Sequence, residues 1–448
     1  NQSWTFALGD YPGAQASSYN DGGWSTVNLP HTFSLPYFLW PQFYTGYGWY
    51  RKHITVPSSW SGQDVCIEFD GAFQDAQVYV NGTLIGEHLG GYSGFSYDIT
   101  SSLAAGDNVI AVRLNNNWNA QLAPRAGDHT FSGGLYRTVR LVVTNPIHVA
   151  WYGTFVTTPI VSSTSATVAI QTEIENDSAI STPCTVETNI VDPTGATVAT
   201  VSSTQTVEAN TTGTFNQTTN PILNPMLWHP DHPWLYQAVT TVSTSGSAVD
   251  NYNTTFGIRW FQWTAEQGFF LNGSSYYIHG ANVHEDHAGW GDAVTDAGFL
   301  RDVQLVKNAG LNFIRGSHYP KAPPFATACD QVGVLLWSEN CFWGYGGFSG
   351  EGSWNTAASY PPNTPDQAPF EQSVLNSLTA MIRVLRNHPS IVAWSMCNEP
   401  FFTNSAQIPN MRNLLAEEVA LSHQLDPTRP AAIGGAQRPL DSTRIDLI

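Results

Sequence analysis

The stretch Ile391–Pro400, IVAWSMCNEP, decides the fold. Its apolar run from Ile391 to Met396 stops abruptly at Asn398 and Glu399, and Pro400 follows. A run of that length bounded by breakers predicts a strand buried on both faces. A carboxylate at the C-terminal tip of such a strand stands where a parallel barrel of strands and helices opens to substrate. A glutamate that merely caps a following helix would read the same over so short a stretch. The surrounding elements decide between the two.

From Phe256-Gly257-Ile258-Arg259 onward, strand-like and helix-like segments alternate, the rhythm of βαβ units. The first predicted strand is about Tyr276–His284, then a helix with Thr295 as cap, Phe299, Val303 and Val306 on one face, and Gly310 as stop. The second is Leu311–His318, with a helix through Phe325 to Gln331, and the third is Val334–Glu339. A long helix follows, with Pro365 in its first turn and Phe370, Val374, Leu378, Met381 and Leu385 as its apolar stripe. After strand four come a helix near Met411–Gln424, strand five at Ala431–Gly434, and Ile445–Ile448 as the start of a sixth. The tips carry polar residues: His284-Glu285-Asp286-His287, then Arg315 and His318, then Glu339, then Asn398 and Glu399. One such tip says little. Four in succession predict a common mouth.

Upstream, residues 1–144 alternate short β-type runs with Gly, Pro and Asn turns. Trp49–Val56, Asp64–Asp70, Ala76–Val80, Asn108–Leu114 and Thr138–Val143 are the clearest strands, and Asn81-Gly82 is a tight-turn signal. This predicts a jelly-roll β-sandwich. Residues 145–257 shift to Thr, Val and Ser with period-two alternation, as in Thr167–Ile174 and Cys184–Val191, an immunoglobulin-like pattern. The Pro-rich corner Leu227–Tyr236, LWHPDHPWLY, reads as a rigid loop, and His229 and His232 lack a nearby third ligand for a metal. The fold class is thus two β-sandwiches followed by an incomplete (β/α)8 barrel over 258–448.

Composition limits the partners. A net charge of -18 argues against nucleic acid and anionic membrane surfaces, and Lys52, Lys307 and Lys321 are the only lysines. No apolar run reaches the roughly 18 residues that span a bilayer. The chain opens on Asn1, and sequons occur at Asn1, Asn81, Asn176, Asn210, Asn216, Asn253 and Asn272. Together these predict a secreted or periplasmic protein. The five widely spaced cysteines form no metal-type cluster and allow one pair at most, and Cys397 reads as a small thiol packing the strand end.

The chain resembles glycoside hydrolase family 2, the family of β-galactosidases and β-glucuronidases, along essentially its whole length. The resemblance rests on Gly71-Ala72-Phe73, Val78–Gly82, His88, Gly90-Gly91-Tyr92, Asp98-Ile99-Thr100 and Gly134-Leu135-Tyr136-Arg137 in the first domain. LWHPDHPWLY, FGIR, Ser317-His318-Tyr319-Pro320 and Arg386-Asn387-His388-Pro389-Ser390 followed by WSMCNEP extend it. It implies an exo-acting, retaining β-glycosidase with Glu399 as general acid/base and Asn398 on the sugar 2-hydroxyl. It implies sugar contacts from His284 and His318, an Arg315 that orients the nucleophile, and an Asp128 sent in from the first domain. Glu339 falls at a tip where the family's carboxylate is structural, within the substrate-binding set. Trp337, Trp343 and Trp394 are expected to wall the pocket and raise the acid's pKa by desolvation.

The resemblance also marks two departures. The family's nucleophilic Glu ends strand seven, and a five-strand arc exposes a bare parallel edge, so a second polypeptide segment is expected to complete the barrel. Ser338–Gly347 lacks the acidic and His ligands of the magnesium site in the large bacterial β-galactosidases, so no metal or cofactor is expected. β-Galactosidase is favoured on family frequency, with β-glucuronidase or β-galacturonidase as the alternative. A non-catalytic carbohydrate-binding fragment is the reading from another class, and the oligomeric state stays open.

Overall fold

A computed structural model describes residues 1–35, 43–127, 129–344 and 352–435. The predicted start of a sixth strand at Ile445–Ile448 lies outside them.

The first unit is a sandwich of antiparallel sheets. One runs in the order Ser25–Val27, Trp4–Leu8, Tyr47–Val56, Gly106–Asn115, Asp75–Val80, Thr83–Leu89, and the other in the order Phe95–Asp98, Asp64–Phe69, Val139–Thr144. Asp64–Phe69 and Asp75–Val80 alternate buried and half-buried positions, so Val65, Ile67 and Phe69 meet Ala76, Val78 and Val80 in one core. Asn81 and Gly82 both take positive φ, +51° and +88°, as a two-residue hairpin turn requires. Three of the sequon asparagines are spoken for: the amide nitrogens of Asn81, Asn176 and Asn272 donate to the carbonyls of Ser102, Val207 and Trp228.

The second unit pairs Ile147–Val161, Ser165–Asn176 and Thr211–Thr218 in one sheet, and Thr197–Val207, Thr182–Val191, Tyr236–Thr244 and Ser247–Phe256 in the other. The corner after it is tied to the barrel floor. Trp228 Nε1 donates to Asp330 O at 3.0 Å, and Lys307 Nζ donates to Pro230 O at 2.8 Å. His229 and His232 bond each other through their backbones.

The third unit is a parallel sheet of five strands in sequence order: β1 Gly280–Asn282, β2 Phe313–Gly316, β3 Leu335–Glu339, β4 Ile391–Asn398 and β5 Ala431–Gly434. Helices α1 Asp296–Asn308, α2 Pro323–Val332, α3 Thr364–Leu385 and α4 Ile408–Leu425 connect them from α1 onward. Thr295 caps α1 by accepting from Gly298 N–H. Strand one is shorter than expected. Tyr276 N–H bonds Phe269 O, and Tyr276 and Ile278 pack with Trp228, Leu335 and Val392 in a floor cluster. Their apolar run serves the barrel's base, and ladder pairing starts only at Gly280.

The sandwich and barrel share a core. Phe73, Tyr92, Phe131 and Tyr136 of the first unit belong to the same buried cluster as Tyr319, Trp343, Phe370 and Met396 of the barrel. Across that seam Arg137 Nη2 donates at 2.7 Å to both Glu285 Oε2 and Pro320 O, with both charged side chains buried. Removing one partner of a buried ion pair strands the other charge. Arg137→Met should therefore cost about 3–5 kcal/mol of stability, read as a lower urea midpoint. An unchanged midpoint would show that the pair does not hold the seam.

Candidate active site

Glu339, at the tip of β3, is fully buried and every contact it makes is to a donor. Arg315 at β2 grips it in a fork, Nε to Oε2 at 3.0 Å and Nη2 to Oε1 at 2.8 Å. His318 Nδ1 lies 2.7 Å from Oε1, Ser395 Oγ of β4 donates to Oε2 at 2.9 Å, and Trp337 Nε1 reaches Oε2 at 3.3 Å. Arg315 Nη2 also donates to Asn398 Oδ1 at 2.8 Å, fixing the amide at the end of β4. The guanidinium needs room: a Cβ on Gly434 of β5 would sit 2.0 Å from Nη2. Three strand tips thus interlock through one carboxylate, and β5 leaves room for the guanidinium.

Glu399 follows Asn398 with φ +45°, an uncommon conformation for a residue with a side chain, and its N–H donates to Gly434 O at 3.0 Å. Its side chain lies over Gly435, where a Cβ would come within 2.5 Å of Glu399 Cγ. His284 reaches the group by ring contact, its centroid 5.1 Å from that of His318. Burial pushes the His284 imidazole down to about 3, with Lys321, His318 and Arg315 adding to the effect, so it is neutral.

The structure thus brings Arg315, His318, Glu339 and Asn398 together by hydrogen bonds, with His284 and Glu399 beside them. Glu339 is enclosed, and it holds Arg315 and His318 in place. Asp128 lies outside the described residues. Trp394 corrects the expected pocket wall: it is fully buried and its indole donates to Asp426 at the end of α4, 2.9 Å away, on the helix side of the strand. Trp337 and Trp343 do stand at the site. The five cysteines are unpaired, so the one allowed disulfide is absent. Among the described residues, the constellation with metal-like spacing is Asp64, His148 and Asp177, on the seam between the sandwiches.

Two residues escaped the reading of the sequence. His129 belongs to the first-domain segment that crosses onto the barrel, where Arg125 N–H donates to Trp343 O at 3.3 Å and Gly127 N–H to Trp354 O at 2.9 Å. Its ring lies 5.2 Å from His284 and 5.4 Å from Trp343. Lys321 is buried, its amine 2.8 Å from Ser317 O and 3.8 Å above the Tyr319 ring. The signals available were the place of His129 beside Asp128 and the rarity of lysine.

Three family models tile the chain: glycosyl hydrolases family 2, sugar binding domain, over 4–146; glycosyl hydrolases family 2 over 147–259; and glycosyl hydrolases family 2, TIM barrel domain, over 264–446. The chain belongs to glycoside hydrolase family 2. Among its relatives, a Bacteroides ovatus β-galactosidase is 32% identical, over 97% of this chain and 53% of that protein. A Bacteroides fragilis β-glucuronidase is 30% identical, over 98% of this chain and 60% of that protein. The solved structure of a Bacteroides uniformis β-glucuronidase covalently bound to cyclophellitol-6-carboxylate aziridine superposes with a TM-score of 0.87 at 32% identity, over 97% of this chain and 52% of that one. The chain therefore spans a little over half the length of these family members.

Burial pulls the Lys321 amine from 10.5 down to about 7, with Arg137 acting in the same direction and Glu285, Glu339 and Asp292 opposing. Between those two values the unfolded chain holds a proton that the folded chain has released, so this group makes stability rise with pH. The stability of the parent relative to Lys321→Met should rise from pH 7 to about pH 10, followed by melting temperature. A difference that stays flat would reject the buried-amine assignment.

Proposed function

We propose that the protein carrying this chain is a retaining, exo-acting β-glycosidase with Glu399 as its general acid/base. The observation that supports this reading is the interlock of Arg315, His318, Glu339 and Asn398, with Glu399 the next residue after Asn398 at the end of β4. Glu399 donates a proton to the glycosidic oxygen as the anomeric carbon is attacked, and the bond to the aglycone breaks. The same carboxylate then takes a proton from the water that releases the sugar from its covalent intermediate. Asn398, held by Arg315, donates its amide N–H to the sugar 2-hydroxyl, and His284 and His318 contact the ring hydroxyls.

The attacking carboxylate is assigned to the seventh strand of a complete barrel, beyond the five described here, on further polypeptide that closes the sheet. The covalent complex of the B. uniformis β-glucuronidase supports a double displacement in a close structural relative. Relatives named β-galactosidase and β-glucuronidase stand at similar identity, so β-galactosidase keeps no advantage over the glucuronide reading. The sequence grounds for a secreted or periplasmic location stand as part of this proposal.

In the full-length protein, Glu399→Gln should lower kcat about 10²–10⁴-fold on glycosides whose leaving group needs a proton, and much less on dinitrophenyl glycosides. Equal activity of parent and variant on both would reject the acid/base role. Sugar binding by a parent that hydrolyses no β-glycoside would make the protein a carbohydrate-binding relative.

A further inference from the structure

Buried polar atoms in folded proteins almost always have a partner, and those that lack one call for an explanation. At the junction of the first sandwich and the barrel mouth, several lack one together. Both ring nitrogens of His129, Nδ1 of His284 and Nε1 of Trp343 are shielded from solvent and have no hydrogen-bond partner among the described residues. They come from the crossing segment of the first unit, from the end of β1 and from the loop after β3, and their rings are neighbours. The backbone there is shaped for close approach: a Cβ on Gly127 would lie 2.9 Å from His129 Nδ1 and 3.0 Å from Trp343 Nε1. Tyr319 lies against the same group, its ring 5.6 Å from His129 and 5.9 Å from His284, with the Lys321 amine over it.

Basic side chains stand beside the two histidines: the Lys321 amine lies over the Tyr319 ring, and Arg315 Nη2 lies 3.2 Å from His318 Nδ1. The carboxylates within reach of Lys321 are already engaged. Glu285 takes Arg137 and the N–H of Ala322, Glu339 takes Arg315 and His318, and Asp292 takes the N–H of Ser132. The Lys321 amine donates to Ser317 O, its one oxygen partner among the described residues, and keeps at least one further N–H to donate.

We infer that His129 is a specificity-determining residue, and that with His284, Trp343 and Lys321 it reads an anionic substituent on the bound sugar. A carboxylate or a sulfate ester supplies several acceptor lone pairs at once to such a set of N–H groups, which a neutral hydroxyl does only in part. The inference rests on the β-glycosidase reading for its location in the sugar pocket. It adds a residue that the first domain, not the barrel, contributes to substrate choice.

The test uses the full-length protein and His129→Phe, which keeps a ring in the packing and removes both nitrogens. Turnover is compared on 4-nitrophenyl β-D-glucuronide, 4-nitrophenyl 6-sulfo-β-D-galactoside and 4-nitrophenyl β-D-galactoside. The variant should lose about tenfold or more in kcat/KM on at least one acidic glycoside, the scale of one charge-assisted hydrogen bond, while the neutral glycoside stays within about threefold. Which acidic glycoside suffers separates carboxylate from sulfate. A parallel fall on all three, or no fall on any, overturns the inference.

Melting temperature checks that the variant folds. If it does not, Lys321→Met is read by the same ratios. If the parent cleaves none of the three, the β-glycosidase reading falls, and tryptophan fluorescence titration still decides the inference. D-glucuronate or galactose 6-sulfate binding more tightly than D-galactose to the parent, with that preference lost in His129→Phe, sustains it. No preference in the parent ends it.

Discussion

A carboxylate with no access to water is the constraint on which the site depends. Glu339 is fully enclosed, and a buried charge is tolerated only when its partners are close and its lone pairs are filled. Here the Arg315 fork, His318, Ser395 and Trp337 do so from β2, from the turn after it, from β4 and from β3 itself. Because Arg315 also holds Asn398, the position of one amide at the tip of β4 follows from the neutralisation of a charge on β3. Gly434 on β5 completes the arrangement by offering no side chain where the guanidinium passes. The strand register and the site geometry are therefore one solution to one electrostatic demand.

Around that centre the three units are not independent bodies. The segment from Asn116 to Gly134 leaves the first sandwich, buries Phe131 in the barrel's cluster and bonds the loops after β3 through Arg125 and Gly127. Arg137, just after it, ties the sandwich to Glu285 and Pro320. The floor is fastened by Trp228, Lys307 and the short sheet from Phe261 to Ser275. At the mouth, His129, His284 and Trp343 keep ring nitrogens without a partner among the described residues.

Much of this was legible in the chain. β4 and β5 fall where apolar runs meet breakers, and the long helix follows its stripe from Phe370 to Leu385. Periodicity carries such elements because their burial is uniform. It failed at strand one, where Tyr276 and Ile278 are apolar in order to plug the floor rather than to join the ladder. It also failed for Trp394, because in a strand buried on both faces the sequence does not say which side looks into the barrel. His129 was illegible for another reason. It sits in an irregular segment whose destination is set by tertiary contacts with Trp343 and Trp354, and no local pattern encodes those. Among the sequons, the asparagine amides at 81, 176 and 272 turned out to serve as backbone ties.

The crossing segment also bears on how such a protein can diversify. If the segment carrying His129 takes part in substrate choice as inferred, substitutions at His129 would alter what is admitted while the Arg315–Glu339 pair, which lies in the barrel, keeps its partners. Part of ligand choice would then sit on the first domain, apart from the groups that set the acid, so one could drift while the other is preserved.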